Sequence, residues 1–95
     1  MAEKTARVIV TGKVQRVFFR DFAKQNANKL GLTGYAKNLK DGSLELVLRG
    51  DESKIMRLVT LCKSGPIFAK VTAVNTEFLD DGDVDEFEFF DIRPT

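Results

Sequence analysis

The sequence predicts an α+β fold in which an antiparallel sheet carries two helices on one of its faces. Short β-branched or alternating segments indicate strands, and two segments with apolar residues at helical spacing indicate helices. Their order is strand, helix, strand, strand, helix, strand, followed by a short terminal strand. That order is typical of the split βαβ, or ferredoxin-like, sandwich.

The first strand and the first helix lie on either side of a polar connection. Residues 7–11 are mostly β-branched and apolar, which predicts a buried strand. The helix is predicted over residues 20–30, and Gly31 is placed to end it in a left-handed cap. Phe18 and Phe19 are consecutive, so their side chains point partly apart. We expect one ring in the core and the other over a site or in solvent.

Residues 33–38 and 43–49 are predicted to form a hairpin. Apolar and polar residues alternate in the second of these strands, as in a sheet with one covered face. The Asp41-Gly42 pair between them is a strong hairpin signal, because glycine adopts a positive φ at little cost. We therefore expect the two strands to be antiparallel neighbours.

The second half of the chain provides a helix and two further strands. The helix is predicted to begin within residues 50–53, where acidic side chains complement its dipole, and to end by Gly65. Its apolar stripe consists of Ile55, Leu58, Val59 and Cys62. Residues 68–78 fit a strand, 80–83 an acidic turn and 86–93 a last strand. We expect the phenylalanines of that last strand to pack in the core: Phe87, Phe89 and Phe90.

Length and composition predict one globular domain over residues 1–95. The chain is 43% apolar and 31% charged, which is typical of soluble proteins. No apolar run approaches the roughly 20 residues of a membrane helix, and the first residues lack an apolar signal core. We therefore expect a cytoplasmic protein with no membrane partner, and neither size nor charge demands more than a monomer.

The lack of histidine and the single cysteine exclude several kinds of site. Without histidine there is no Ser-His-Asp or Cys-His catalysis and no imidazole zinc site. One cysteine excludes Cys-x-x-Cys sites and an internal disulfide. The acidic run around residues 80–86 lacks the ligand spacing of a calcium loop. We therefore expect no metal site, and Cys62 is predicted to be a buried packing residue.

Charge is distributed unevenly along the chain. Residues 1–70 carry a balance of +8 and residues 71–95 a balance of −7. The basic part suggests an anionic partner such as phosphate, nucleic acid or an acidic surface, although the two parts could instead pair on the folded surface. RNA is disfavoured, because the two strands that would stack bases, residues 7–11 and 43–49, contain no aromatic residue. We expect no nucleic-acid partner.

The connection over residues 12–20 has the features of an anion cradle. It leads into a helix N-terminus, where free backbone N–H groups and the positive dipole end favour an anion. Arg20 stands at this junction, and its guanidinium can hold a phosphate through two N–H groups. Asn38 ends the second predicted strand, which can lie beside the first, and its carboxamide could orient a water molecule. The alternatives are a solvated Arg20 and an Asn38 that merely suits a turn.

Two segments resemble a known family. Gly12-Lys-Val-Gln-Arg-Val-Phe-Phe-Arg20 resembles the acylphosphatase signature Gly-x-Val-Gln-Gly-Val-x-Phe-Arg. Leu30-Gly-Leu-Thr-Gly-Tyr-Ala-Lys-Asn38, continuing to Asp41-Gly-Ser-Leu-Glu45, resembles the second motif of that family. The likeness extends over about residues 7–92.

The resemblance implies a small cytoplasmic hydrolase that cleaves acyl phosphates to a carboxylate and inorganic phosphate, with no metal or organic cofactor. It implies that Arg20 clamps the phosphate and that Asn38 holds the attacking water. The loop amides complete the implied phosphate-binding set: Gln15, Arg16, Val17, Phe18, Phe19 and Arg20.

Arg16 departs from the family pattern, which has glycine at this position. Glycine in a tight phosphate loop supplies a positive φ or a close backbone approach. An arginine in the left-handed region costs roughly 1–2 kcal/mol, and its side chain could fill the cradle or add a second cation for the substrate. The alternative function is therefore an anion-binding module of this family with weak or no turnover.

Overall fold

The computed structural model describes residues 3–79 and 90–93. Within them the elements are β1 (Glu3–Lys13), α1 (Phe19–Lys29), β2 (Thr33–Asn38), β3 (Leu44–Asp51), α2 (Glu52–Ser64), β4 (Lys70–Leu79) and β5 (Phe90–Arg93). The predicted acidic turn at 80–83 and the start of the last predicted strand lie outside the described residues, as do Phe87 and Phe89. Phe90 is buried in the core, as expected.

The strands form one sheet in the order β4-β1-β3-β2-β5. The hairpin pair β2–β3 is antiparallel, as predicted, and so are β1–β3 and β1–β4. The predicted ferredoxin-like fold is confirmed, but its sheet is mixed rather than antiparallel throughout, because the short β5 pairs parallel with β2. A hairpin turn dictates antiparallel pairing only between strands that it joins. Here β5 lies at the edge opposite to β4, the strand before it, so no local turn sets its direction.

The strand order also decides how the two candidate site segments are placed. The sequence allowed β2 to lie beside β1, but β3 lies between them and pairs with both. The ends of β1 and β2 are thus two strand spacings apart, about 10 Å. Side chains and the following loops must bridge that distance for Arg20 and Asn38 to meet.

The boundaries of the elements follow the sequence patterns closely. Helix α1 begins and ends one residue before the predicted limits, and β2 has the predicted limits. Gly31, which follows α1, has the left-handed φ expected of it, 72°. Strand β1 is longer than the apolar run because β3 and β4 both pair along it, from Glu3 opposite Asp51 to Lys13 opposite Lys70. Pairing on both edges extends a strand beyond its most β-prone residues.

The core lies between one face of the sheet and the two helices. Leu44, Leu46 and Leu48 of β3 face it and are fully buried. Helix α2 covers it with the predicted stripe, all of which is buried: Ile55, Leu58, Val59 and Cys62. Burial raises the pKa of the Cys62 thiol to about 12, so this side chain is an uncharged packing group at neutral pH.

Gly34 permits a close approach of β2 to β3. Its φ is 133°, and a Cβ at this position would lie 1.8 Å from the carbonyl oxygen of Val47. Gly31, just after α1, also has a positive φ, but a Cβ there would meet nothing within 4 Å. An alanine at residue 31 therefore introduces backbone strain alone, whereas an alanine at residue 34 introduces both backbone strain and a steric collision.

We predict that Gly34→Ala lowers the free energy of unfolding by more than about 4 kcal/mol, or prevents folding, because the methyl group collides with backbone. The control Gly31→Ala should lose only about 1–2 kcal/mol, the cost of left-handed backbone. Urea unfolding measures both. Equal losses in the two variants would contradict the close β2–β3 approach.

Candidate active site

A cavity of about 290 Å³ lies where the loop after β1, the start of α1, the end of β2 and β5 meet. Its polar lining consists of Arg16, Arg20, Asp21 and Asn38. Its apolar lining consists of Val14, Phe18, Phe19 and Ile92. The structure therefore brings Arg20 and Asn38, which are far apart in the sequence, to one cavity.

The loop of residues 14–18 is anchored by apolar side chains. Val14, Val17 and the following Phe19 are buried in the core. Arg16 and Phe18, between them, are exposed and line the cavity. The expectation for the phenylalanine pair is confirmed, because Phe19 is 1% exposed and Phe18 is 73% exposed.

Two residues of this loop have left-handed backbone without being glycine. Arg16 has a φ of 61°, which confirms the expected need for a positive φ at this position. Phe18 has a φ of 63° and a ψ of 24° and stands directly before α1. A left-handed residue followed by a right-handed one turns successive N–H groups to the same side, as in anion-binding nests.

The N-terminus of α1 adds further donors to this arrangement. The backbone amide of Phe22 donates to the Phe18 carbonyl at 3.0 Å, which closes the first helical turn. No side chain among the described residues caps the helix at Phe18. The first-turn N–H groups of a helix have no partner within it, so they are available to an anion here.

Gln15 has a structural contact with the hairpin. Its Nε2 donates to the carbonyl oxygens of Leu39 at 2.7 Å and Ser43 at 2.9 Å. These bonds tie the loop of residues 14–18 to the β2–β3 turn. Gln15 and Val17 do not line the cavity, so among the predicted loop residues the structure places Arg16, Phe18, Phe19 and Arg20 there.

The β2–β3 turn holds Asn38 at the mouth of the cavity. Asp41 Oδ1 accepts from the backbone amide of Ser43 at 3.0 Å and from its hydroxyl group at 2.5 Å. These bonds lower the pKa of Asp41, so its carboxylate is a charged acceptor in the turn at neutral pH. In the described part of the chain, the Asn38 carboxamide makes no hydrogen bond to protein and remains open to solvent or ligand.

Arg20 is oriented by β5. Its Nη1 donates to the Arg93 carbonyl oxygen at 3.2 Å. The Arg93 guanidinium in turn lies 4.0 Å from the ring centroid of Tyr35 on β2. The Tyr35 hydroxyl donates to Glu45 at 2.9 Å, and burial together with this bond raises the pKa of Tyr35. Tyr35 therefore remains a neutral donor, and a chain of contacts across the sheet supports Arg20.

Three cavity residues were not predicted from the sequence. Val14 and Asp21 flank the predicted loop, and their closeness to it in the chain could have indicated them. Ile92 lies on β5, and nothing in its surroundings in the sequence connects it to the loop. Its place follows only from the parallel pairing of β5 with β2.

The described residues show two further features relevant to function. They contain no group of three or more histidine, cysteine, aspartate or glutamate side chains arranged to hold a metal ion. They also contain no helix that is both long and apolar enough to cross a membrane.

Comparison with known proteins shows the family to which the chain belongs. Residues 6–92 match the acylphosphatase family. An acylphosphatase from Caldivirga maquilingensis is 46% identical over 88 residues, which cover 92% of this chain and 90% of the relative. One from Dehalococcoides mccartyi is 49% identical over 71 residues, or 74% of this chain and 78% of the relative. The solved structure of an acylphosphatase from Coxiella burnetii superimposes with a TM-score of 0.88 at 41% identity, covering 96% of this chain and 93% of that one.

A cavity lined by an arginine at the start of a helix is suited to binding an anion. The family match over nearly the whole chain decides the class. The chain belongs to the acylphosphatase family, and it is a hydrolase of that family.

We predict that Gln15→Leu lowers the free energy of unfolding by about 1–3 kcal/mol, because two partly buried carbonyl groups lose their donor. The matched control is Gln25→Leu on the exposed side of α1, which should change stability by less than about 0.5 kcal/mol. Chemical denaturation compares the two. A loss no larger at Gln15 than at Gln25 would show that the Gln15 bonds do not support the loop.

Proposed function

We propose that this cavity hydrolyses the carboxyl–phosphate anhydride of small acyl phosphates, releasing a carboxylate and inorganic phosphate. The observation that carries the proposal is the meeting of Arg20, Asn38 and the uncapped start of α1 at one cavity. Each of the three supplies something different: a fixed cation, a carboxamide and a set of N–H donors.

Arg20 has the role of phosphate clamp in this proposal. Its guanidinium has five N–H donors in a fixed plane, and the hydrogen bond to Arg93 occupies Nη1 without neutralising the charge. The remaining donors can bind two phosphate oxygens at once. A clamp held in place before the substrate arrives stabilises the charge that develops during phosphoryl transfer without having to reorganise.

The backbone of the loop completes the phosphate site. Successive N–H groups from Arg16 to Arg20 would surround the phosphoryl oxygens, supported by the left-handed backbone at Arg16 and Phe18. Gln15 and Val17 contribute by their main chain and by anchoring the loop, since their side chains lie away from the cavity. Main-chain donors on a packed loop need no ordering when substrate binds.

Asn38 has the role of aiming the nucleophile. Its carboxamide both donates and accepts hydrogen bonds, and it can hold a water molecule in line with the bond to be broken. The water oxygen forms a bond to phosphorus as the bond from phosphorus to the acyl oxygen breaks. The leaving carboxylate keeps the electron pair, and one water proton moves to a phosphate oxygen. A carboxylate is a good leaving group, so the reaction needs no histidine acid.

The remaining expectations about the protein form part of the same proposal. We propose one acylphosphatase domain over residues 1–95, acting as a cytoplasmic monomer on a small acyl phosphate without metal or organic cofactor. The single buried cysteine agrees with a reducing compartment. The clamp, the amides and Asn38 together provide positioning and charge stabilisation, which account for most of the catalysis in phosphoryl transfer.

A second candidate function rests on Arg16. Its left-handed backbone and its exposed side chain at the cavity would suit a module that binds phosphate or another anion without turnover. Titration with inorganic phosphate and an assay with acetyl phosphate separate the two functions. Phosphate binding without hydrolysis, in both the natural chain and Arg16→Gly, would favour the binding module, and rapid hydrolysis would exclude it.

We predict that Arg20→Ala lowers kcat/KM for acetyl phosphate by about 100- to 1,000-fold, the effect of removing a preorganised donor from developing charge. Asn38→Ala should lose about 100-fold or more, mainly in kcat, because the water is no longer aimed. Arg57→Ala and Asn28→Ala remove the same groups at exposed positions outside the cavity and should leave the rate unchanged. Equal rates in all five proteins would refute the proposed function.

We predict that Arg16→Gly raises the free energy of unfolding by up to about 1 kcal/mol. Relief of the left-handed strain, roughly 1–2 kcal/mol, is partly offset by the greater freedom of glycine in the unfolded chain. Arg57→Gly, in the middle of α2, should instead lose about 1 kcal/mol. Denaturant unfolding gives both values, and a loss at residue 16 similar to that at residue 57 would contradict the strain at Arg16.

A further inference from the structure

Phe18 has three features that are unfavourable for a phenylalanine. It is an exposed aromatic ring, with 73% of the residue accessible to solvent. It has left-handed backbone, which is rare for a bulky residue. It also occupies the N-cap position of α1, where serine, threonine, aspartate or asparagine would satisfy the helix. Several such unfavourable features at one residue are expected where the residue contacts a ligand rather than stabilising the fold.

The surrounding contacts hold the Phe18 backbone in place. The Phe18 carbonyl accepts the first hydrogen bond of α1, from the amide of Phe22. The neighbours on both sides, Val17 and Phe19, are buried in the core. The ring therefore cannot turn into the interior without disrupting the start of the helix. An aromatic side chain on fixed backbone offers a large apolar surface with only two torsions to order.

Phe18 shares the cavity with the phosphate clamp. Phe18 and Arg20 both line it, with the buried Phe19 between them in the chain. Val14 and, on β5, Ile92 add further apolar side chains to the lining. A substrate whose phosphate is held by Arg20 would extend its other end past these apolar groups.

The charges of the lining bear on what that other end can be. Arg16 and Arg20 supply two positive charges, which match the two negative charges of a phosphoryl group. Within residues 3–79 and 90–93, the other charged side chain of the lining is Asp21, which is acidic and disfavours a second anionic group. An uncharged acyl group therefore suits the lining better than one with its own carboxylate or phosphate.

From these contacts we infer that Phe18 is a specificity-determining residue, whose ring packs against the acyl group and favours acyl phosphates with an apolar, preferably aromatic, acyl chain. The inference rests on the proposed function and extends it from the phosphate to the acyl part of the substrate. Hydrophobic contacts of this size discriminate between substrates by about 10- to 100-fold.

Binding can be measured without turnover, using phenacylphosphonate and acetonylphosphonate, in which a methylene group replaces the bridging oxygen. Isothermal titration should show tighter binding of the phenyl compound to the natural chain. In Phe18→Asn, whose new side chain tolerates left-handed backbone, the preference should fall by about 10- to 100-fold. The dissociation constant of inorganic phosphate, which reports on the loop backbone, should change much less than this preference, because asparagine keeps the main-chain amide and tolerates the positive φ.

The matched control is Phe68→Asn. Phe68 is 66% exposed but does not line the cavity, so this variant removes a similar apolar surface elsewhere on the molecule. Its preference for the phenyl compound should equal that of the natural chain. Phe18→Gly provides a second variant compatible with the positive φ, in case the asparagine perturbs the loop.

Turnover provides the second measurement, as the ratio of kcat/KM for benzoyl phosphate to that for acetyl phosphate. A fall in this ratio of about 10- to 100-fold in Phe18→Asn and Phe18→Gly, but not in Phe68→Asn, supports the inference. An unchanged ratio and an unchanged phosphonate preference in both Phe18 variants overturn it. Equal falls in kcat/KM for both substrates, together with weaker phosphate binding, also overturn the inference, because the residue would then only shape the loop.

The failure of the proposed function would look different. If the natural chain hydrolysed neither acyl phosphate faster than Arg20→Ala, the proposed hydrolysis would be wrong. The phosphonate titration would still decide whether Phe18 selects an aromatic group next to a bound phosphonate.

Discussion

The left-handed backbone of Arg16 and Phe18 is the constraint on which the cavity depends. In the loop that carries it, the Arg16 and Phe18 side chains line the cavity while that of Val17 is buried in the core. Such backbone is unfavourable for residues with a Cβ, so the surrounding structure must hold it. The buried neighbours of these two residues and the Gln15 bonds to the hairpin provide that support.

The same loop also connects two segments that the strand order keeps apart. Strand β3 separates β1 from β2, so the loop after β1 and the end of β2 are not neighbours by strand pairing. Gln15 spans the gap by donating to two carbonyl groups of the β2–β3 turn. Strand β5 lines another side of the cavity, and there the Arg93 carbonyl oxygen accepts a hydrogen bond from Arg20. The cavity is therefore formed by separate segments of the chain. Hydrogen bonds between these segments hold them in place, and no single rigid element forms the cavity.

Local patterns predicted most of the secondary structure. The Asp41-Gly42 turn and the apolar stripe of α2 each depend on neighbours within a few residues, and each is confirmed. The alternation in β3 predicted a single covered face, but Glu45 and Val47 on the opposite face are buried too. On that face, side chains of the flanking strands bond Glu45: Arg7 and Tyr35. The likeness to the acylphosphatase motifs indicated Arg20 and Asn38, which the structure places at one cavity. The parallel pairing of β5 was missed, because a strand that joins the far edge of the sheet has no local signal for its direction.

By itself, the sequence determined the elements, the family and the chemical groups available: no histidine, one cysteine, and an arginine at the start of a helix. Only the tertiary structure decided how those groups are arranged. It assigned Gln15 to the hairpin, brought Ile92 to the cavity and left the Phe18 ring outside the core. The reason is physical: helix and strand patterns depend on contacts within a few residues, whereas these placements depend on pairing and packing between segments far apart in the chain.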